Sequence, residues 1–349
     1  MKSTTTTTFD VSAVVAAVSS PSLFSPSPTP AFFPARKLSH LTFPSVPVID
    51  TSFDLITIAL ILCFFFLSLL SLSFILHLRI KSRHFLKLQN FSLHWTPRFL
   101  LVVMLFLWSI NELFRLPIFR KSFIFPFLPS LSLSHQTQFC KFHLILSFGL
   151  YEPGFLVVLL FLVNISTKKR SPGNLWAIGF VAITCLPLVV ALYLAVYVLP
   201  GRLYLPPVFY RSSVLLKDEN YGSHIVYCTY PLLAIVIFGA FGVVYILVFL
   251  ANCWKIVAIV INKRLKSRVN VLVGTVVVCL GAQILMLTIT AFWVPDDVLY
   301  YVFVLVNFAS FLTCGAVAEG ILVIMPTTDS LKEASDIREE GIDDLDECV

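Results

Sequence analysis

The sequence predicts an all-α membrane protein: a seven-transmembrane helix bundle with a disordered N-terminal tail and a short acidic C-terminal tail. Three observations predict it. Of the 349 residues, 58% are apolar and only 13% are charged, against about a quarter charged in a typical soluble domain. Seven stretches are long and apolar enough to cross a bilayer, which takes about 20 mostly apolar residues. The bases gather in alternate connections between those stretches. With 33 phenylalanines, the chain carries more hydrocarbon than a single soluble core can hide. That excludes a cytosolic enzyme, and it equally excludes a chain disordered throughout.

Residues 1–53 contain eighteen Ser or Thr and seven Pro, including the run Thr4 to Thr8. Such a segment buries too little apolar surface to fold, so it reads as a disordered outer tail. Its poverty in acids gives it a plastid-transit flavour, but it holds one arginine, Arg36, and no amphipathic helical pattern. Lys2 followed by Val11–Val18 sketches a signal peptide, which Asp10 and the threonine run spoil. The seven-helix domain then occupies 54–325. Its spans are 55–78, 99–118, 142–164, 175–199, 226–253, 269–294 and 298–325. Between the second and third, residues 122–134 are apolar but broken by Pro126 and Pro129, and read as an interfacial, lid-like loop. Residues 326–349 carry nine acids against two bases, and Ser330 with Glu333 forms a capping box that opens a short helix. The terminal Glu347-Cys348-Val349 does not place a cysteine for prenylation.

The net charge of +6 therefore belongs to the loops. Loops one, three and five carry thirteen Lys and Arg, among them Arg79, Lys168, Lys169, Arg170, Lys263 and Arg264; loops two, four and six carry six. By the positive-inside rule the odd loops face the cytoplasm, which puts the N-terminus outside and the acidic tail inside. Basic loops suit an anionic bilayer surface. No basic run exceeds three residues, so nucleic acid is not an expected partner. Asn90 and Asn164 head glycosylation tripeptides, both on the inner side, and should stay unmodified. Trp95, Trp176 and Trp254 mark one interface; Tyr197, Tyr204, Trp293, Tyr300 and Tyr301 mark the other. The expected location is the plasma membrane or an endomembrane, ahead of a plastid membrane.

Eight cysteines are present. Cys63, Cys185, Cys279 and Cys314 lie within spans as small packing residues, and Cys253 and Cys348 face the reducing interior. Cys140, where the third span begins, and Cys228, where loop four enters the fifth, share the oxidising side. They are the disulfide candidate, and a bridge would pin loop four over the bundle mouth. The alternative is two ordinary interface cysteines.

Ionisable groups at membrane depth are costly and default to the bundle interior. The second span carries Asn111, Glu112 and Arg115; the third carries Tyr151, Glu152, Pro153 and Gly154. At about 1.5 Å per residue, Glu112 lies roughly 10 Å and Glu152 roughly 15 Å from the outer end, so the three charges can meet. Arg115 stands one turn from Glu112 on the same face. A neutralised Glu112–Arg115 pair beside a lone Glu152 makes a candidate intramembrane pocket. Tyr151, Gln283 in the sixth span and Asn307 in the seventh complete it. The competing reading is an ion pair that sets helix register, with the amides serving interhelical hydrogen bonds. Pro153 and Pro187 should kink their helices. Trp108 reads as core, and Glu319 as an inner-end acid that meets the loop bases.

Seven spans, an outer N-terminus, an inner tail and the Cys140–Cys228 pair resemble the heptahelical receptor plan, a likeness of topology across the whole chain. The third span ends Val163-Asn164-Ile165-Ser166, where receptors of the largest class carry an acidic-Arg-Tyr motif. Phe292-Trp293-Val294-Pro295 lies at the outer end of the sixth, and Asn307 is followed by Phe308 and Ala309. The seventh span has no lysine, which excludes a retinal Schiff base. The leader and the Phe-rich spans resemble uncharacterised heptahelical membrane proteins of plants.

Three functions stay open. The first is a receptor-like or signalling protein whose small ligand, of unknown identity, enters near Arg115, Glu112 and Glu152. The second is a proton-coupled solute transporter or channel. The third is a scaffold whose inner loops and acidic tail recruit a cytosolic partner. The chain has no phosphate loop, no HExxH and no GxSxG, and no Cys and His spacing of a zinc site. No catalytic residue, cofactor or metal is expected.

Overall fold

In the computed structural model of the protein, seven helices are long and apolar enough to cross a membrane. The structure describes residues 47–82, 95–120, 133–165, 174–201, 206–217, 224–259, 263–293 and 297–328. These residues belong to one compact unit, 44–349. Residues 1–46 of the Ser/Thr/Pro-rich leader, Asn90, nearly all of the lid-like 122–134 stretch, and the acidic tail with Ser330 lie outside the described residues, while 47–53, expected in the disordered leader, are helical.

Helix α1 is Pro47–Ser82. Its buried positions Ile61, Phe64, Ser68, Ser71, Ile75 and Leu78 recur every three or four residues and make one stripe. Between them Leu62, Phe66, Leu69 and Leu70 are exposed. A helix apolar on every side, with hydrocarbon facing out, is compatible with a lipid surround. The same outward hydrocarbon recurs at Ile183 and Leu247.

Helix α2 is Trp95–Arg115, and Arg79 of α1 lies 3.4 Å over the Trp95 ring. Its far end differs from the expected 118. Leu116 is extended, with φ −71 and ψ 125, because the ring of Pro117 excludes α geometry from the residue before it. A single turn, Pro117–Phe119, follows.

Helix α3, Leu133–Ile165, is the hub: 78% of its apolar stretch is buried, against 28–44% in the other six. It begins nine residues before the expected 142, and its first turns are polar. Thr137 caps back onto the Leu133 carbonyl at 3.1 Å, and Gln138 accepts from Tyr197 at 3.0 Å. Hydropathy marks the apolar part of a helix, not its end, so these turns escape it. Within α3 a π-helical turn, Ser147–Tyr151, widens the helix ahead of Pro153. Helix α4, Asn174–Tyr193, contains Pro187 and runs into a second π turn at Leu194–Val198.

The connection from α4 to α5 holds the only strands among the described residues. Strands β1, Ser213–Lys217, and β2, His224–Cys228, pair antiparallel in the register Ser213 to Cys228. The hairpin is a local addition to a fold that is otherwise helical as expected, and it moves the start of the fifth helix beyond the expected 226. Residues 226–228 are strand, and helix α5 is Leu232–Ile259. Pro231 sets the boundary, since it has no N–H to lose and its fixed φ suits a first turn; its carbonyl accepts from Ala234 at 3.0 Å.

Helix α6 is Lys263–Phe292 and α7 is Val298–Glu319. A third π turn, Gly320–Ile324, carries α7 onward to residue 328. Three close approaches show how the bundle packs. A Cβ on Gly149 would meet the Val189 backbone of α4 at 3.1 Å. One on Gly315 would meet Leu105 at 2.9 Å and Phe64 at 3.1 Å, and one on Gly242 would meet Ile284 at 2.8 Å.

Candidate functional site

Cys140 of α3 and Cys228 of β2 form a disulfide with Cα atoms 5.1 Å apart. The bond holds the hairpin to the end of the bundle where α1, α5 and α7 begin and α2 and α6 finish. Arg120, just past α2, reinforces it. Its Nη2 donates to the Val226 carbonyl at 2.7 Å, and its Nη1 lies 3.9 Å from Cys140 Sγ. Burial pushes this guanidinium down to about 10, so it stays charged at neutral pH.

Under the hairpin is a cleft with about 40 Å³ of room, enough for one or two water-sized groups. Phe53, Asp54, Arg115, Tyr227, Tyr300 and Tyr301 line it. Tyr300, expected in an interfacial belt, is buried instead and donates to the Cys228 carbonyl at 3.3 Å.

Arg115 connects the cleft to the buried polar groups beneath. Its Nε donates to Glu112 Oε2 at 2.9 Å, the i,i+3 pair that the sequence spacing indicates. The other oxygen of Glu112 stands 3.6 Å from His143 Nε2. His143 Nδ1 is 3.0 Å from the Asn111 carbonyl, and Asn111 Nδ2 donates to the His143 carbonyl at 3.3 Å. This reciprocal clip joins α2 to α3. A third span begun at 142 leaves His143 at its very edge, where hydropathy gives it no role. With α3 started at Leu133, His143 stands one turn past Cys140, on the side that faces α2.

Glu152 does not join that cluster. It has its own shell, which corrects the picture of a lone carboxyl. Its Oε1 accepts from Ser147 at 2.8 Å and from Trp108 Nε1 at 3.3 Å; its Oε2 accepts from Gln283 Nε2 at 2.6 Å. Helices α2, α3 and α6 thus meet on one buried carboxyl. The π turn makes the Ser147 contact possible. In an α-helix residues five apart point well away from each other, whereas a π turn brings them onto one side. Cys185 also approaches the Leu150 carbonyl within this turn, at 3.9 Å. Trp108 is therefore core and hydrogen-bond donor at once: it stacks on Phe308 with ring centroids 5.4 Å apart.

Tyr151 is half-buried and takes no part in the Glu152 shell. Asn307 is buried in α7, and its Oδ1 has no hydrogen-bond partner among the described residues. Of the residues expected in one pocket, the structure makes two groups, Glu112–Arg115 and Glu152–Gln283, and only Arg115 reaches the cleft.

A family profile matches residues 43–339, a stretch that holds all seven helices and both polar groups. The chain belongs to that family, Uncharacterised conserved protein UCP031277. No curated protein and no solved structure matches it. In this member of UCP031277, buried polar side chains are hydrogen-bonded from one helix to another. Among the described residues no group of three or more His, Cys, Asp or Glu is placed to hold a metal ion.

Proposed function

We propose that this protein is a receptor-like, non-catalytic heptahelical membrane protein, with its N-terminus outside and its acidic tail in the cytoplasm. The single observation that carries the reading is the route from the cleft inward. Arg115 faces the cleft, holds Glu112, and so meets the α2–α3 clip of Asn111 and His143. One layer deeper, Trp108 on the same helix donates to Glu152, which also holds α6 through Gln283. A small ligand with an acidic or strongly accepting group would compete with Glu112 for Arg115. It would thereby favour one packing of α2, α3 and α6 over another, in proportion to its differential affinity for the two. The disulfide-held hairpin resembles the extracellular cap of the receptor plan. The acidic tail and the basic inner loops are the surfaces for a cytosolic partner and for anionic lipid.

The test is a fluorophore on the exposed Leu265 position at the far end of α6, in protein reconstituted in nanodiscs. Arg115→Ala should change its emission, since it removes the contact that a ligand would disturb. Emission that is identical in the variant and the parent would sink the receptor reading. The transporter reading predicts instead proton or solute flux in vesicles above the empty-vesicle background, abolished by Glu152→Gln. The scaffold reading predicts that proximity labelling from the tail finds the same neighbours whatever the state of the cleft.

A further inference from the structure

Glu319 does not meet the loop bases. It turns inward between α7 and α1 and is wholly enclosed, at 0% exposure, as are Ser68 and Ser71 on the facing stripe of α1. Ser68 Oγ donates to Glu319 Oε2 at 3.4 Å, a long bond from a neutral group. Ser71 Oγ also lies beside the carboxyl, but among the described residues neither it nor the other carboxyl oxygen, Oε1, makes a hydrogen bond of good geometry. Among the described residues no Lys, Arg or His pairs with Glu319. The helices close tightly over this point: one turn before Glu319, a Cβ on Gly315 would stand 3.1 Å from Phe64 of α1. A carboxylate so enclosed, with only two neutral serine hydroxyls beside it, carries no compensating charge, and buried charge of that kind costs several kcal/mol unless something neutralises it.

We propose that Glu319, Ser68 and Ser71 form a binding site for one sodium ion that joins α1 to α7. Three hard oxygens converge from two helices, the donor set that alkali and alkaline-earth cations prefer over transition metals. The single carboxylate matches a single positive charge, so the occupied site is neutral; a divalent ion would leave a net charge in a low-dielectric interior. The close approach of α1 and α7 favours a small ion over potassium. Ser68 and Ser71 are three residues apart on one helix face, so both hydroxyls turn toward the same neighbour. The π turn Gly320–Ile324 begins at the next residue; π turns of this kind loosen the regular backbone hydrogen-bond pattern and recur at functional sites. The site lies in the half of the bundle away from the cleft and does not depend on the receptor reading.

The test uses the full chain in detergent, with thermal unfolding followed in NaCl, KCl and choline chloride at equal ionic strength. Sodium binding to the folded state alone should raise the Tm saturably, with no comparable rise in potassium or choline. Radioactive sodium should bind at one ion per chain. Glu319→Gln, which keeps the shape and removes the charge, should abolish both signals. Ser71→Ala should weaken sodium binding by at least about tenfold, as losing a supporting group at a metal site does. Equal Tm values in the three salts, or sodium binding that survives Glu319→Gln, would overturn the proposal. A Tm in the parent protein that depends on pH but not on sodium, with the pH dependence lost in Glu319→Gln, would mean that a proton occupies the site and would overturn it too. If Glu319→Gln does not fold, Ser68→Ala and Ser71→Ala carry the decision: unchanged sodium affinity in both would refute the site.

Discussion

Gln283 and Arg115 each hold a carboxylate, but the consequences of losing them differ. Among the described residues Gln283 supplies the single hydrogen bond to Glu152 Oε2, at 2.6 Å, while Ser147 and Trp108 share Oε1. Gln283→Leu leaves that oxygen buried without a donor, and a lost bond of this kind costs about 1–3 kcal/mol. Thermal unfolding of the purified protein should show the loss, and Ser147→Ala should cost less because Trp108 still serves Oε1. Arg115→Ala strands Glu112, which is 5% exposed, beside nothing but His143. Removing one partner of a buried pair is worth about 3–5 kcal/mol. Glu112→Gln in the same chain should return much of that, since it removes the stranded charge; a double-mutant cycle measures the coupling. Independent, additive costs would show that the pair does not act as a unit.

Proline and the π turns shape the elements. Pro117 ends α2, Pro231 begins α5, and Pro153 follows the π turn that carries Ser147 around to Glu152. Gly149 sits inside that turn. A methyl there would stand 3.1 Å from the Cα of Val189, which belongs to a helix backbone and cannot swing aside. Gly149→Ala should therefore cost about 1–3 kcal/mol, the range for overpacking a tight core. Gly242→Ala should cost less, although its contact is nearer at 2.8 Å, because the atom it meets is the flexible tip of Ile284. Unfolding temperatures of the two variants, measured side by side, check the order.

For the molecule as a whole, the Cys140–Cys228 bond closes a segment of 88 residues that contains α4 and the hairpin. Its removal by a double Cys→Ser change should lower stability by about 2–4 kcal/mol. Reduction with dithiothreitol should lower the Tm of the parent protein and leave the double variant unmoved. Arg120 still donates to Val226, so the hairpin should stay seated under folding conditions; proteolysis between β1 and β2 in the double variant, but not in the parent, would show that it does not. The seven-span, odd-number threading carries its own expectation. A protease added to sealed vesicles should reach one terminus and not the other, and Asn90 and Asn164 should carry no sugar.

Hydropathy read along the chain is enough to show the seven apolar stretches, because enclosure in lipid or in a bundle demands unbroken hydrocarbon whatever the neighbours. It is also enough to show the i,i+3 spacing of Glu112 and Arg115, and the two cysteines that share one end of the bundle. These are local properties, legible from a residue and its near neighbours. The β-hairpin was hidden because Val226 and Tyr227 are as apolar as a helix start, and strand pairing with residues 213–217 is a long-range choice. The partition of the polar groups was hidden for the same reason. Whether Glu152 meets Arg115 or Gln283, and whether Glu319 turns to the loops or to Ser68, depends on helix rotation and on a π turn that shifts the register. Such rotations are decided by how whole faces pack against each other, and no single stretch of sequence contains that information.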